Sequence, residues 1–154
     1  MYVRENVSCI PVPDSDPSNS NGKCERLFLK ITETDTILLA LYIPPGLCKS
    51  EQEVIVMSTS DTLERILSQS SADTKLLIAG DLNDLPTEDI ELQFTLRQVV
   101  KQPTRGDAIL DKILLDVKLV DMYNTPIVGP NLATSDHRTV FLLPIKLKTN
   151  ITRI

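Results

Sequence analysis

The sequence has no apolar run that approaches the roughly 18–20 residues needed to cross a bilayer. No membrane span and no membrane partner are expected. It has no Cys-Xaa-Xaa-Cys pair, and its three cysteines, Cys9, Cys24 and Cys48, are odd in number. That argues against a complete disulfide framework and fits a reducing compartment. It has a single histidine, His137, so a structural zinc site is not expected. It has no basic excess. Lys and Arg total 16 against 21 Asp and Glu, for a formal charge of -5 and a pI of about 4.9. The footprint of a tight nonspecific nucleic-acid binder is therefore absent. The N-terminus lacks an apolar signal core. The sequons Asn6-Val7-Ser8 and Asn150-Ile151-Thr152 are read as chance matches, and the expected location is intracellular, nuclear or cytoplasmic.

What is present suits one soluble domain. The chain has 154 residues, 42% of them hydrophobic and 24% charged. That is enough to bury a single core. Residues 11–24, with Pro11, Pro13 and Pro17 among Ser, Asn and Asp, read as an exposed loop. Arg26–Thr32 alternates like a strand, Glu33–Asp35 turns, and Thr36–Ile43 is a buried strand stopped by Pro44-Pro45. Ser50 with Glu53 fits a capping box, so a helix should begin near Glu51. Its apolar face carries Val56, Leu63, Ile66 and Leu67, with a break expected at Ser58–Asp61. Lys75–Gly80 reads as a strand and Asp81–Ile90 as a loop. Thr95–Val100 fits a strand or a short helix. Gln102–Asp107 turns, and Ile109–Leu115 and Arg138–Pro144 read as strands. The alternation of strand, helix and strand gives an α+β layered fold.

Three places set acidic or imidazole groups beside a buried strand. In Ala79-Gly80-Asp81-Leu82-Asn83, Gly80 permits a sharp bend and Asp81 and Asn83 follow it. A carboxylate and an amide there suit a site that orients water and steadies charge on a phosphate oxygen. A solvated loop with an Asx turn fits the same string. Asp111 interrupts an apolar run and shares a strand face with Ile109 and Ile113. A carboxylate on an apolar face costs several kcal/mol unless paired, so it wants a donor such as an imidazole. An edge strand with Asp111 in water fits equally. In Thr134-Ser135-Asp136-His137, the last two side chains point opposite ways on an extended chain. One can hold a metal while the other reaches a different partner. His137 as a satisfied structural residue is the alternative.

The order of these strings resembles the endonuclease/exonuclease/phosphatase superfamily, the deoxyribonuclease-I-like fold. It is most similar to the endonuclease domain of non-LTR retrotransposons. The resemblance runs from Tyr2-Val3-Arg4-Glu5-Asn6 through Leu38–Pro45 and Leu76–Asn83 to Gln98–Leu114 and Ser135-Asp136-His137. It implies a four-layer α/β sandwich over 1–145, incomplete at the N-terminus, with 146–154 as a tail. It also implies a Mg2+-dependent DNA endonuclease, with Mn2+ able to replace Mg2+. By resemblance Asp81 positions or deprotonates the attacking water, and Asn83 donates to the phosphoryl group. Asp111 orients His137, which contacts the scissile phosphate, as does Tyr42. Asp136 holds the metal. DNA is the implied substrate, and a reverse-transcriptase segment in a longer parent protein is an implied companion. The oligomeric state is left open.

Three departures from the family bear on activity, one of them the short stretch after Asn83, where the family usually places a longer loop and helix. The strands that carry the family's asparagine and metal-binding glutamate have no counterpart, because the resemblance starts near Tyr2. Ile43 stands where a basic residue often precedes the two prolines. A truncated enzyme of reduced or no activity is therefore expected. An inactive interaction module of the same fold, or a small-molecule or lipid phosphoesterase, are the alternatives. The missing strands should leave Leu27, Leu29, Leu39 or Leu41 less covered, with marginal stability as the result.

Overall fold

In the structure, a computed structural model, residues 7–13 and 24–145 are described. The tail at 146–154 and most of the loop expected at 11–24 lie outside them. The apolar runs form a six-stranded sheet in the order β1-β2-β3-β4-β6-β5. Its strands are β1 (Cys9–Val12), β2 (Glu25–Ile31), β3 (Thr36–Tyr42), β4 (Lys75–Asp81), β5 (Leu96–Gln98) and β6 (Asp111–Asp116). Strands β3 and β4 pair in parallel, and the chain between them crosses over through α1 (Lys49–Ser68). The other pairings are antiparallel. A second sheet pairs β7 (Ile127–Asn131) with β8 (Arg138–Phe141).

Alternation along the strands gives the large sheet two different faces. One carries Phe28, Leu39, Leu41, Leu76, Ile78 and Leu114, which pack with Ile55, Leu63 and Ile66 of α1. The other carries Leu77, Ala79, Ile113 and Leu115, which pack with Val128 and Val140 of the small sheet. The described residues thus supply a helix layer, a large sheet and a small sheet, a mixed α/β arrangement.

Several expectations from sequence need correction. Pro11 lies in β1, not in a loop. It is tolerated because β1 is an edge strand with one neighbour. Helix α1 begins at Lys49, with Cys48 as its N-cap, and Glu51 accepts a hydrogen bond from the Cys48 N–H at 2.8 Å. The cap is therefore two residues earlier than Ser50, and the helix runs unbroken through Ser58–Asp61. The stretch after Asn83 includes α2 (Glu88–Gln93), held in place by buried Ile90. Thr95–Val100, which fitted either a strand or a short helix, holds the strand, β5. A four-residue helix, α3 (Val117–Val120), follows β6, with the Asp116 carboxylate accepting from the Lys118 N–H at 2.8 Å.

Coverage of the sheet also differs from expectation. Leu29, Leu39 and Leu41 are buried, while Leu27 is 41% exposed. The register explains this. Leu27 pairs with Ala40 and Phe28 with Leu39, so Leu27 and Leu29 lie on the face opposite Leu39 and Leu41, and Leu29 shares its face with its partner Leu38. Leu39 and Leu41 meet α1, and only the other face is partly open.

Candidate functional site

Asp81 is the last residue of β4 and Asp111 the first of β6, and they are direct partners across the antiparallel pair. Both side chains leave the face that carries Ala79 and Ile113. The chain enters β8 beside them and delivers His137. The His137 Nδ1 lies 2.8 Å from Asp111 Oδ2, and its Nε2 lies 3.9 Å from Asp81 Oδ2. The carboxylate placed on an apolar face thus has an imidazole partner, as its position required. All three side chains keep roughly a quarter of their surface open, at 22–24%. One donor atom from each lies within 4.8 Å of the others.

Local geometry fixes each member. Gly80 approaches the backbone of Leu41 so closely that a Cβ there would sit 1.8 Å from the Leu41 carbonyl oxygen. The neighbouring Ile43 N–H donates to the Asp81 carbonyl at 2.9 Å, and the Leu82 N–H donates to the Leu110 carbonyl at 2.9 Å. Asp81 is therefore pinned between two strands. Asn83 takes a left-handed backbone, φ 45°, and its N–H donates to Asp81 Oδ1 at 3.3 Å. Its side-chain amide donates to the Ile43 carbonyl at 2.7 Å in a buried setting. One of its two amide hydrogens is thereby used. His137 is set by an upstream turn in which its N–H donates to Ser135 Oγ at 3.1 Å.

Burial is the main reason the Asp81 carboxyl titrates above its ordinary range, and the nearby Asp111 charge adds to it. The Asn83 N–H, His137 and Arg105 pull in the opposite direction. Two half-buried carboxylates facing one another suit a cation, which would relieve their repulsion. The residues present therefore fit a divalent metal. Asp81, Asp111 and His137 are the group that could hold it.

The remaining expected residues lie around this group. Tyr42 ends the strand next to β4 and is 41% exposed. It lies two residues beyond Ala40, the partner of Ala79, so its side chain leaves the same face as Asp81. Asp136 is not one of the group that gathers around His137. Its Oδ2 lies 2.6 Å from the Arg105 guanidinium, with side-chain exposures of 45% for Arg105 and 65% for Asp136.

Two residues escaped sequence reasoning. Arg105 is one, and its link to Asp136 spans 31 residues that include β6, α3 and β7, which no local spacing reveals. Thr104 is the other. It is fully buried, and its Oγ accepts from the N–H groups of Leu110 and Asp111, both at 3.0 Å. Its carbonyl accepts from the Arg138 N–H at 2.7 Å. Thr104 thus ties the start of β6 to the residue after His137. Thr104→Val keeps the shape and removes the acceptor, leaving two backbone donors unmet. It should cost about 2 kcal/mol, or a fall of about 4–8 °C in Tm, read by thermal denaturation. An unchanged Tm would mean that other acceptors serve those donors.

No family model matches the sequence, and none of the curated proteins matches it. Solved structures do. The endonuclease domain of TRAS1, a telomere-specific non-LTR retrotransposon, superimposes with a TM-score of 0.63 at 16% identity, over 90% of this chain and 68% of that one. An endonuclease/exonuclease/phosphatase family protein from Bacteroides thetaiotaomicron aligns with a TM-score of 0.47 at 14% identity, over 77% of this chain and 54% of that one. Among the described residues, no helix is long and apolar enough to cross a membrane. At this level of identity the likeness is one of architecture, and the chain has the deoxyribonuclease-I-like fold of the TRAS1 endonuclease domain.

Proposed function

We propose that the chain is a Mg2+-dependent phosphodiesterase that nicks DNA, with Mn2+ able to replace Mg2+. The observation that carries this reading is the Asp81–His137–Asp111 group at the end of β4 and β6. Phosphodiester hydrolysis needs a base for water, positive charge where the phosphorane gathers negative charge, and donors around phosphorus. Asp81 orients the attacking water and accepts its proton. Asp111 fixes the imidazole through Nδ1, leaving Nε2 on the Asp81 side. In its protonated form His137 sets positive charge and an N–H donor beside the phosphate. Asn83 supplies its second amide hydrogen and Tyr42 its hydroxyl. A bound divalent ion would stabilise the developing charge and the leaving oxygen. Asp81 and Asp111 would hold it, with Asp136 contributing once freed from Arg105.

The test is nicking of supercoiled plasmid by the purified chain. Nicking should require added Mg2+ or Mn2+ and stop with EDTA. The His137→Ala protein, prepared in parallel, should not nick, which excludes a contaminating nuclease. Inositol phosphate and sphingomyelin assayed beside the plasmid separate this reading from a small-molecule or lipid phosphoesterase. No turnover of any of these at any metal concentration would sink the enzymatic reading. A second reading, an inactive interaction module of the same fold, would then stand. It is favoured by the absence of a glutamate from the candidate metal group among the described residues.

A further inference from the structure

Arg105 sits in a tight hairpin that the rest of the site holds in place. The Thr104 and Arg105 N–H groups both donate to the Ala108 carbonyl, at 2.8 and 3.1 Å, and the Ala108 N–H returns a bond to the Arg105 carbonyl at 2.9 Å. Gly106, at φ 54°, makes the turn, and buried Thr104 anchors its base to β6 and β8. The guanidinium projects from this rigid support to Asp136, the neighbour of His137. Its charge is felt at Asp81. A chain with a net charge of -5 thus brings a cation beside the Asp81–Asp111–His137 group, paired with a carboxylate that is itself 65% exposed.

An exposed ion pair of this kind is worth little, typically about 1 kcal/mol or less. A phosphate offers a guanidinium the same forked geometry as a carboxylate. The pair is therefore easily exchanged. We propose that Arg105 is a phosphate-binding residue of this site, held in reserve by Asp136, and that it trades Asp136 for a phosphate of the bound nucleic-acid strand. The exchange both anchors the strand and frees the Asp136 carboxylate beside His137. This inference rests on the nucleic-acid reading of the site but not on turnover.

The test is a double-mutant cycle on binding, measured in EDTA so that no cleavage occurs. The probe is a short fluorescein-labelled single-stranded DNA, followed by anisotropy. Arg105→Gln should weaken binding by about fivefold and lower the salt dependence by about one phosphate contact. Asp136→Asn should tighten binding, because Arg105 is released. The gain should vanish in the Arg105→Gln/Asp136→Asn protein. A structural role for the pair would not make the second substitution beneficial, and Tm of all four proteins separates loss of fold from loss of contact. Equal tightening with and without Arg105 would reduce the effect to general charge, and the proposal would fall. It would fall equally if the unaltered chain bound no DNA, or if Arg105→Gln, with its Tm unchanged, bound as well as the unaltered chain. If the cycle holds but plasmid is never nicked, only the nuclease reading fails. If plasmid is nicked but the cycle is additive, only the exchange fails.

Discussion

Asp81→Asn is expected to abolish nicking and to make the chain more stable at neutral pH. The first effect follows from the chemistry. An amide cannot take a proton from water, and a positioned general base contributes about 10²- to 10⁴-fold in rate. The second follows from the carboxyl's surroundings. Burial and the Asp111 charge raise its proton affinity above that of the unfolded chain. The folded form then binds the proton more tightly. The stability tied to this group is complete below the ordinary carboxylate range and is lost as pH rises through the folded value. At pH 7 the loss is complete, and a neutral side chain restores it. The amide oxygen can still accept from the Asn83 N–H. A higher Tm than that of the unaltered chain is expected at pH 7.

The pH dependence makes the claim specific. The difference in Tm between the two proteins should shrink as pH falls into the carboxylate range, because there the native side chain is neutral too. Glu33 and Asp35, whose carboxyls are held lower by hydrogen bonds from Ser8 and from Lys30, act in the opposite sense, but they are common to both proteins and cancel in the comparison. Activity should carry an acid limb that tracks Asp81. Thermal melts from pH 3 to pH 8 check the first statement, and kcat/KM over the same range checks the second. A Tm that falls at pH 7 would show that the Asp81 charge is satisfied in the fold. Combined loss of activity and gain of stability is the signature of a group kept for chemistry at a cost in folding.

The parts of this site legible in the sequence are those where a local conflict forces a choice. Asp111 inside an apolar run demands a partner wherever the chain folds, and the sole histidine is an obvious candidate. Apolar runs such as Thr36–Ile43 and Lys75–Gly80 identify the central strands because their length and composition admit little else. The edge elements lack such a signal. Pro11 punctuates a loop as readily as an edge strand, and β7 contains Gly129 and Pro130 and shows no alternation. Helix α2 buries a single residue, Ile90, which leaves no periodicity to read. Strand parity is a different kind of failure. Leu27 and Leu39 both look like members of one apolar face, and only the pairing of Leu27 with Ala40 sends them apart. Arg105 and Thr104 were hidden for the same reason. Asp136 reaches Arg105 across 31 residues and Arg138 reaches the Thr104 carbonyl across 34, while the Thr104 hydroxyl serves Leu110 and Asp111 only 6 and 7 residues on, a pairing that no side-chain pattern marks. Family likeness supplied roles for Asp81, Asn83 and Asp136, but it could not supply their present partners.

Gly80→Ala should be the most damaging alanine substitution at the described glycines. It adds one methyl group, and that carbon has nowhere to go. Its ideal position lies 1.8 Å from the Leu41 carbonyl oxygen and 2.8 Å from the Leu41 carbonyl carbon. Both are backbone atoms of the adjacent parallel strand, so no side-chain rotation relieves the clash. The φ of 156° adds strain of its own for a residue with a Cβ. Relief requires β3 and β4 to separate where the Ile43 N–H donates to the Asp81 carbonyl. A cost of about 3 kcal/mol or more is expected, a large part of a typical margin of about 5–15 kcal/mol. The mutated site is also the hinge of the chemistry. A shift between the strands moves Asp81 relative to His137, and a displacement of about 1 Å can cost about 100-fold in rate. Activity should therefore fall even at temperatures where the protein is folded. Urea denaturation gives the stability, and nicking measured well below the midpoint gives the second effect. A variant that melts early but nicks at the native rate when folded would show that the close approach at Gly80 holds the sheet together without setting the site. Loss of both places the glycine at the junction where the parallel pair, the pinned carboxylate and the imidazole share one geometry.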